Sequence, residues 1–396
     1  MSARVGTGLD RLVEDAFAPL RGLRVGLVCN PTACDARFRH AADLLKAAPG
    51  VTLAALFGPE HGVRGDAQDM VGVASGVDRK TGVVCHSLYG DTFESLSPKR
   101  EHLAGLDALV FDVQDVGARY YTFVYSMLLA MRAAKGAGLK FFVLDRPNPL
   151  GGEAADVEGP LVEPECASFV GLWPLPVRHS MTAGELARLF NAEVNVDLTV
   201  VPCAGWTRAM QWEDTGLAWL WPSPNMPTSD TARVYPGGCL VEGTNLSEGR
   251  GTTRPFEVSG APFLDADALA EKLAAEALPG VVFRPLWFRP TFHKHAGQSC
   301  GGVFLHVTDR RAFRPYRTGL AFLRAARALG AEAFRWRTER YEFVDDKPAI
   351  DLLVGDSVTR GLLDRGAPLG EICARWPAAE RDFAEARAPF LLYDVT

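Results

Sequence analysis

Short apolar runs alternate with longer amphipathic stretches over the first two hundred residues. Leu23 to Asn30, Leu53 to Phe57, Val83 to Leu88, Ala108 to Val113, Lys140 to Leu144 and Asp197 to Val201 are four to eight residues long and rich in Val, Leu and Phe, the signature of buried strands. Between them, apolar positions recur at helical spacing: Leu9 to Phe17, Phe38 to Ala47, and Thr122 to Lys135, with Tyr125, Leu128 and Leu129 on one face. Thr182 with Glu185 three positions later predicts a capping box opening a helix that runs through Phe190. Strands alternating with helices imply a mostly parallel sheet covered on both faces.

The texture changes after Trp219. The stretch to Gly238 is rich in proline with little periodicity, and a domain boundary near residue 230 is expected there, dividing the chain into 1–230 and 231–396. Beyond it a helix is expected from Ala266 to Leu278, strands over Val281 to Phe288 and Gly302 to Val307, and a helix from Thr318 to Leu329, together a smaller α+β unit. A chain of 396 residues is long for one core and fits two.

Composition narrows the partners. A net charge of −6 and a pI near 5.8 offer no basic surface for a nucleic acid or an acidic membrane. No run approaches the roughly 18 apolar residues of a membrane span, and the first residues carry no signal-like apolar stretch, so a cytoplasmic location is expected. Eight scattered cysteines without a CxxC pair read as reduced thiols rather than a disulfide framework or a zinc site.

Polar clusters follow the strands instead of preceding them. The sharpest is Gly58-Pro59-Glu60-His61-Gly62, continuing to Arg64 and Asp66, where glycine and proline bend the chain and hold a carboxylate, an imidazole and a guanidinium together. Others lie at Gln114, Asp115 and Arg119 and at Asp145 and Arg146, and the carboxyl edge of a parallel sheet is where ligands bind. Glu60 and His61 could instead simply cap a helix, and Asp112 and Asp145 could bond neighbouring backbone. Tyr120 and Tyr121, on opposite faces if extended, would give one core ring and one wall for stacking a sugar. Downstream, Val241 to Phe256 packs Glu242, Asn245, Glu248, Arg250 and Arg254 among glycines that allow close backbone approach to a ligand.

Familiar signatures are absent: no phosphate loop, no HExxH, no strand-associated GxGxxG. Gly297 to Gly301 fits G-x-S-x-G, but a nucleophile elbow needs a strand before it and a helix after, and here a polar loop precedes and a strand follows. His293-Lys294-His295 has no third metal ligand nearby. The residues alone thus describe an acid/base enzyme with carboxylates and arginines in an interdomain cleft. That equipment serves glycosidic bond cleavage and metal-assisted hydrolysis equally.

The chain resembles a bacterial family, the exo-β-N-acetylmuramidases, over LFGPEHGVRGDA (56–67), SLYGDTFES (87–95), VFDVQDVGARYYTF (110–123), VLDRPNPLGG (143–152), PSPNMPTSDTA (222–232), YPGGCLVEGTNLSEGRGTTRPFE (235–257) and CGGVFLHVTDR (300–310). The resemblance implies a Rossmann-like α/β domain followed by a smaller α+β domain. It implies hydrolysis of the β-1,4 bond to a non-reducing-end N-acetylmuramic acid of peptidoglycan-derived sugars or muropeptides, with no metal or organic cofactor. On these positions Glu60 is the first choice as general acid and Glu242 as second carboxylate, with Asp115 and Glu248 behind it. His61, Tyr120, Asn225 and Asn245 are expected around the sugar. One of Arg64, Arg119, Arg250 and Arg254 is expected to read the lactyl carboxylate of muramic acid. The competing readings are a non-catalytic muropeptide-binding protein and a metal-dependent hydrolase.

Overall fold

The computed structural model describes residues 4–65 and 76–394; Asp66 lies outside them. The N-terminal sheet is built from β1 (Arg24–Cys29), β2 (Thr52–Gly58), β3 (Gly76–Val77), β4 (Val84–Ser87), β5 (Ala108–Asp112), β6 (Lys140–Leu144) and β7 (Asp197–Val201), in the order β3-β4-β2-β1-β5-β6-β7. All neighbours are parallel except β3 with β4. Leu27 lies beside Leu56 on one side and Val110 on the other, and Val110 beside Phe142, so the apolar runs stack in register across the sheet.

Alternation along each strand divides these side chains between two cores. Val25, Leu27, Val110 and Phe142 face the helices Gly8–Glu14 and Ala41–Ala47, where Leu9, Leu12 and Leu45 complete one cluster. Val28, Phe57, Leu109, Phe111, Phe141 and Val143 face the helices Phe123–Ala137 and Ala183–Val194. This second core does not stop at the sheet domain. It continues through Leu240, Phe256, Leu320 and Leu352 into the rest of the chain. There β8 (Val258–Ala261), β9 (Val281–Phe288) and β10 (Cys300–Val307) form an antiparallel sheet in the order β8-β10-β9, packed on the helix Ala266–Ala274, which in turn packs on the helix Pro315–Gly330.

Most expected elements form where the pattern puts them, and the Thr182–Glu185 capping box is present. Three departures have physical causes. The helix expected from Phe38 begins at Ala41, because Phe38 takes a positive φ of 59° and the His40 ring accepts the Ala42 N–H as the cap. The helix expected to reach Leu278 ends at Ala274, and Ala277 just beyond takes a positive φ of 47°, through which a right-handed helix cannot run on to Leu278. Within the proline-rich stretch, Ser229–Gly238 is a helix capped by Thr228, although Pro236 lies inside it. Its Gly237 crosses Gly319 of the helix Pro315–Gly330 so closely that a Cβ on either would overlap the other helix's backbone. Tight helix crossing, which propensity cannot register, decides that segment. No helix among the described residues is long and apolar enough to cross a membrane.

Candidate active site

Because β2, β1, β5 and β6 run parallel, their carboxyl ends share one edge, and the loop after β2 carries Glu60 to it. The Gly62 N–H donates to the Pro59 carbonyl at 2.9 Å, closing a tight turn over Glu60 and His61. His61 sits at φ 72° and Gly62 at φ 77°. A non-glycine residue there is strained, on the order of 1 kcal/mol or more, and such strain concentrates at functional sites. Through residue 65 the chain stays in turns, so Glu60 and His61 cap no helix in that span.

Glu60 and His61 line a cleft with Tyr120, Tyr121, Ser223, Asn225, Tyr235, Glu242, Arg250, Phe256 and Tyr341. The space between them is narrow, about 50 Å³. Glu242 comes from the short 3₁₀ turn Cys239–Gly243, which continues the helix Ser229–Gly238. Its two carboxylate oxygens are occupied: Arg250 Nη2 donates to Oε1 at 2.8 Å and Tyr341 Oη to Oε2 at 2.9 Å. Arg250 stands between two glycines in the left-handed region, Gly249 at φ 78° and Gly251 at φ 80°, where any side chain would run into the backbone of β8 or of the β9–β10 loop. Phe256 supports its guanidinium from below, 5.2 Å from ring centre to Cζ.

Beneath Arg250 lies Glu248, wholly buried, with Lys294 Nζ at 3.1 Å, His293 Nδ1 at 3.0 Å and Arg250 Nε at 3.3 Å. Burial pushes the Glu248 carboxyl up, but Lys294, His293 and Arg250 outweigh it and hold the group well below the usual carboxylate range. The His-Lys-His triplet of the β9–β10 loop is therefore a clamp. Lys294 also reaches the Val241 carbonyl, and His295 Nε2 lies 2.7 Å from the Asn245 carbonyl. Among the described residues no group of three or more His, Cys, Asp or Glu side chains is arranged to hold a metal ion.

The two tyrosines do not divide into core and wall. The segment is a turn, both rings are buried, and both line the cleft, packed edge-on against Tyr235 at 5.7 and 5.5 Å. Burial pushes the Tyr121 phenol far up; the Ser223 hydroxyl works against this, while the negative charges of Glu60 and Asp115 add to it.

Of the expected site residues, Glu60, His61, Tyr120, Asn225, Glu242 and Arg250 come together. The others are engaged elsewhere. Asp115 is buried one layer below, accepting the Gly117 N–H at 2.7 Å with His179 at 3.4 Å, so it shapes the loop after β5. The Arg119 guanidinium, fully buried, donates to the carbonyls of Pro160, Leu175, Leu353 and Val354. Arg64 turns outward to Asp78 and Asp43, and Arg254 pairs with Glu257 at 3.3 Å. Asn245 holds the Ala333 carbonyl and the Arg335 N–H. Glu248 does not line the cleft but orients Arg250, which does. Arg146 is likewise taken, by Asp112 at 2.6 Å. Tyr121 and Ser223 line the cleft from within two of the matching stretches, and Tyr341 lines it from outside all of them.

A doubly covered α/β sheet whose carboxyl edge meets an α+β unit, with one carboxylate from each lining a shared cleft, defines a two-part α/β protein with a candidate site between the two parts. The chain belongs to the exo-β-N-acetylmuramidase family: the family's N-terminal model matches residues 25–230 and its C-terminal model residues 233–393. It is similar to the peptidoglycan β-N-acetylmuramidase NamZ of Bacillus subtilis, 47% identical over 392 residues, covering 98% of this chain and 92% of that one. Two crystal structures of DUF1343 family proteins from Bacteroides fragilis share its fold. One aligns at a TM-score of 0.90 with 34% identity over 99% of both chains, the other at 0.78 with 30% identity over the whole of both.

Proposed function

We propose that this protein is an exo-acting glycoside hydrolase that releases N-acetylmuramic acid from the non-reducing end of peptidoglycan fragments by cleaving a β-1,4 bond. Its family and the relative from B. subtilis support the substrate class. The observation that carries the chemistry is the convergence of Glu60, from the sheet edge, and Glu242, from beyond residue 238, on one narrow cleft. Glu60 acts as the general acid, giving its proton to the glycosidic oxygen as the anomeric C–O bond breaks; a water molecule supplies the hydroxyl to the anomeric carbon, and the proton it leaves behind makes good the one Glu60 gave up. Glu242, both oxygens already accepting hydrogen bonds, is placed to meet the positive charge that develops on the sugar ring. Arg250 is the one arginine of the four candidates that lines the cleft, and it both orients Glu242 and faces the substrate. His61, Tyr120 and Asn225 make up the remaining wall. The division of the chain near residue 230 belongs to the same proposal: a sheet domain that supplies the acid and a smaller domain that supplies its partner carboxylate.

The test is Glu60→Gln assayed on a chromogenic muramic-acid glycoside. Turnover is expected to fall at least ~10²-fold, the scale of a general-acid contribution, with the unfolding midpoint unchanged. A variant with near-normal turnover removes Glu60 from the role. A wild-type protein that binds the glycoside but releases no product at any enzyme concentration would be a binding protein instead.

A further inference from the structure

A second, wider groove of about 490 Å³ adjoins the cleft, and His61 and Ser223 line both. Its floor is the segment 219–224, with Arg64 at the rim. Two indoles mark it. Trp219 is anchored, its Nε1–H donating to the Met226 carbonyl at 3.0 Å and its ring packed edge-on against Trp212 at 4.9 Å. Trp221 is not covered: 61% of its surface is open, against 3–7% for Trp206, Trp212 and Trp376; Trp287 on β9 is as open at 60%, but it does not line this groove. The segment that presents it is stiff, with Pro222 and Pro224 restricting the backbone and the Asn30 side chain donating to the Pro222 carbonyl at 3.2 Å, which ties it to the end of β1. Arg64 is fixed at the rim by Asp78 at 2.9 Å and Asp43 at 3.2 Å.

An exposed flat ring on a rigid strap, next to a site and sharing two of its lining residues, is a stacking surface already in its binding geometry. Because His61 and Ser223 line both spaces, a sugar joined to the one held at Glu60 has a direct path past them. That path enters the groove.

We propose that this groove is the subsite for the hexosamine on the leaving-group side of the scissile bond, with Trp221 stacking on the apolar face of its ring. The assignment rests on the hydrolase reading above and adds to it the residue that holds the second sugar. It commits the groove to carbohydrate, because flat indole and proline faces there stand beside the hydrogen-bonding side chains of His61, Arg64 and Ser223.

The experiment compares two substrates that share the muramic-acid ring and differ in what leaves: the β-1,4 disaccharide of N-acetylmuramic acid and N-acetylglucosamine, and the β-fluoride of N-acetylmuramic acid, whose leaving group is a single atom. In Trp221→Ala, kcat/KM on the disaccharide is expected to fall about tenfold, the equivalent of roughly 1.4 kcal/mol of lost contact, while the fluoride is turned over at the wild-type rate. Trp221→Phe, which keeps a flat face, is expected to recover most of the loss on the disaccharide. Any result in which the disaccharide is not the more affected substrate, whether both rates fall alike or neither moves, overturns the subsite. If the wild-type protein hydrolyses neither substrate, the failure lies with the hydrolase reading and not with Trp221. An exposed side chain carries little of the fold, so the urea midpoint of Trp221→Ala is expected to match wild type.

Discussion

Glu248→Gln removes the one negative charge at the centre of the clamp and leaves the shape nearly intact. In the wild type this carboxylate faces Lys294, His293 and Arg250, all within 3.3 Å, with none of its own surface exposed. His293 is 38% exposed and can turn to water and Arg250 keeps Glu242, but Lys294, only 17% exposed, loses its carboxylate and stays close to the Arg250 guanidinium. Breaking a buried pair by removing one partner costs about 3–5 kcal/mol. The amide can still accept a hydrogen bond, which places the expected loss near the lower figure. With a urea slope of about 3 kcal/mol per molar, a 3 kcal/mol loss moves the midpoint down by about 1 M with the slope unchanged. The effect carries a pH signature. Because the folded-state pKa of Glu248 is depressed, its contribution is complete above the unfolded value near 4.5 and is lost as pH falls toward the much lower folded one. The gap between wild type and variant should therefore be widest at pH 6–8 and narrow below about pH 4.5. A midpoint within about 0.3 M of wild type at pH 7, or a gap that does not depend on pH, refutes the account of Glu248 as the counter-charge of the clamp.

Arg119→Lys should lower stability by on the order of 3 kcal/mol, since a single ammonium cannot satisfy four carbonyls spread around a planar fork; urea unfolding reads it, and a loss under about 1 kcal/mol would contradict the assignment. Asp145 is pushed up to about 6 by burial, against hydrogen bonds from Tyr393, Gly184 and Thr182. A raised carboxyl makes the folded state bind more protons than the unfolded one between pH 4 and 6, so wild-type stability relative to Asp145→Asn should decline as pH rises through that window, by up to about 3 kcal/mol. A difference profile flat across pH 4 to 7 would count against it.

Strand after strand was legible because each is an uninterrupted apolar run flanked by turn residues, and a parallel sheet then fixes which loops meet. That reasoning is enough to bring Glu60 to an edge. It is not enough to rank the polar residues of the segment after residue 240, since a glycine-rich stretch announces close packing without saying what packs. Glu242 and Glu248 are the same residue type six positions apart, yet one faces the cleft and the other is sealed beneath it by the β9–β10 loop. The arginines follow the same logic. Arg64, Arg119, Arg250 and Arg254 each sit in a matching stretch, and only the fold reveals that Arg119 spends its guanidinium on backbone carbonyls more than two hundred residues away. Tyr341 lies in a segment with no periodicity at all, and contact across 99 residues of sequence gives it its place beside Glu242.

The hold of Arg119 on Leu353 and Val354 has a consequence for the order in which the molecule can come into being. The first 230 residues carry buried polar groups whose partners are made last: Arg119 awaits the carbonyls of 353 and 354, Asp145 the hydroxyl of Tyr393, and Glu185 the amide of Leu392. A nascent sheet domain emerging from the ribosome has to keep these groups in water until the final fifty residues arrive, so it cannot settle fully on its own. The cleft is thereby coupled to completion of synthesis. A chain cut short before Tyr341 lacks a partner of Glu242, and one cut short before Leu353 lacks the fastening of Arg119, so shortened products would be marked by their own unsatisfied interiors.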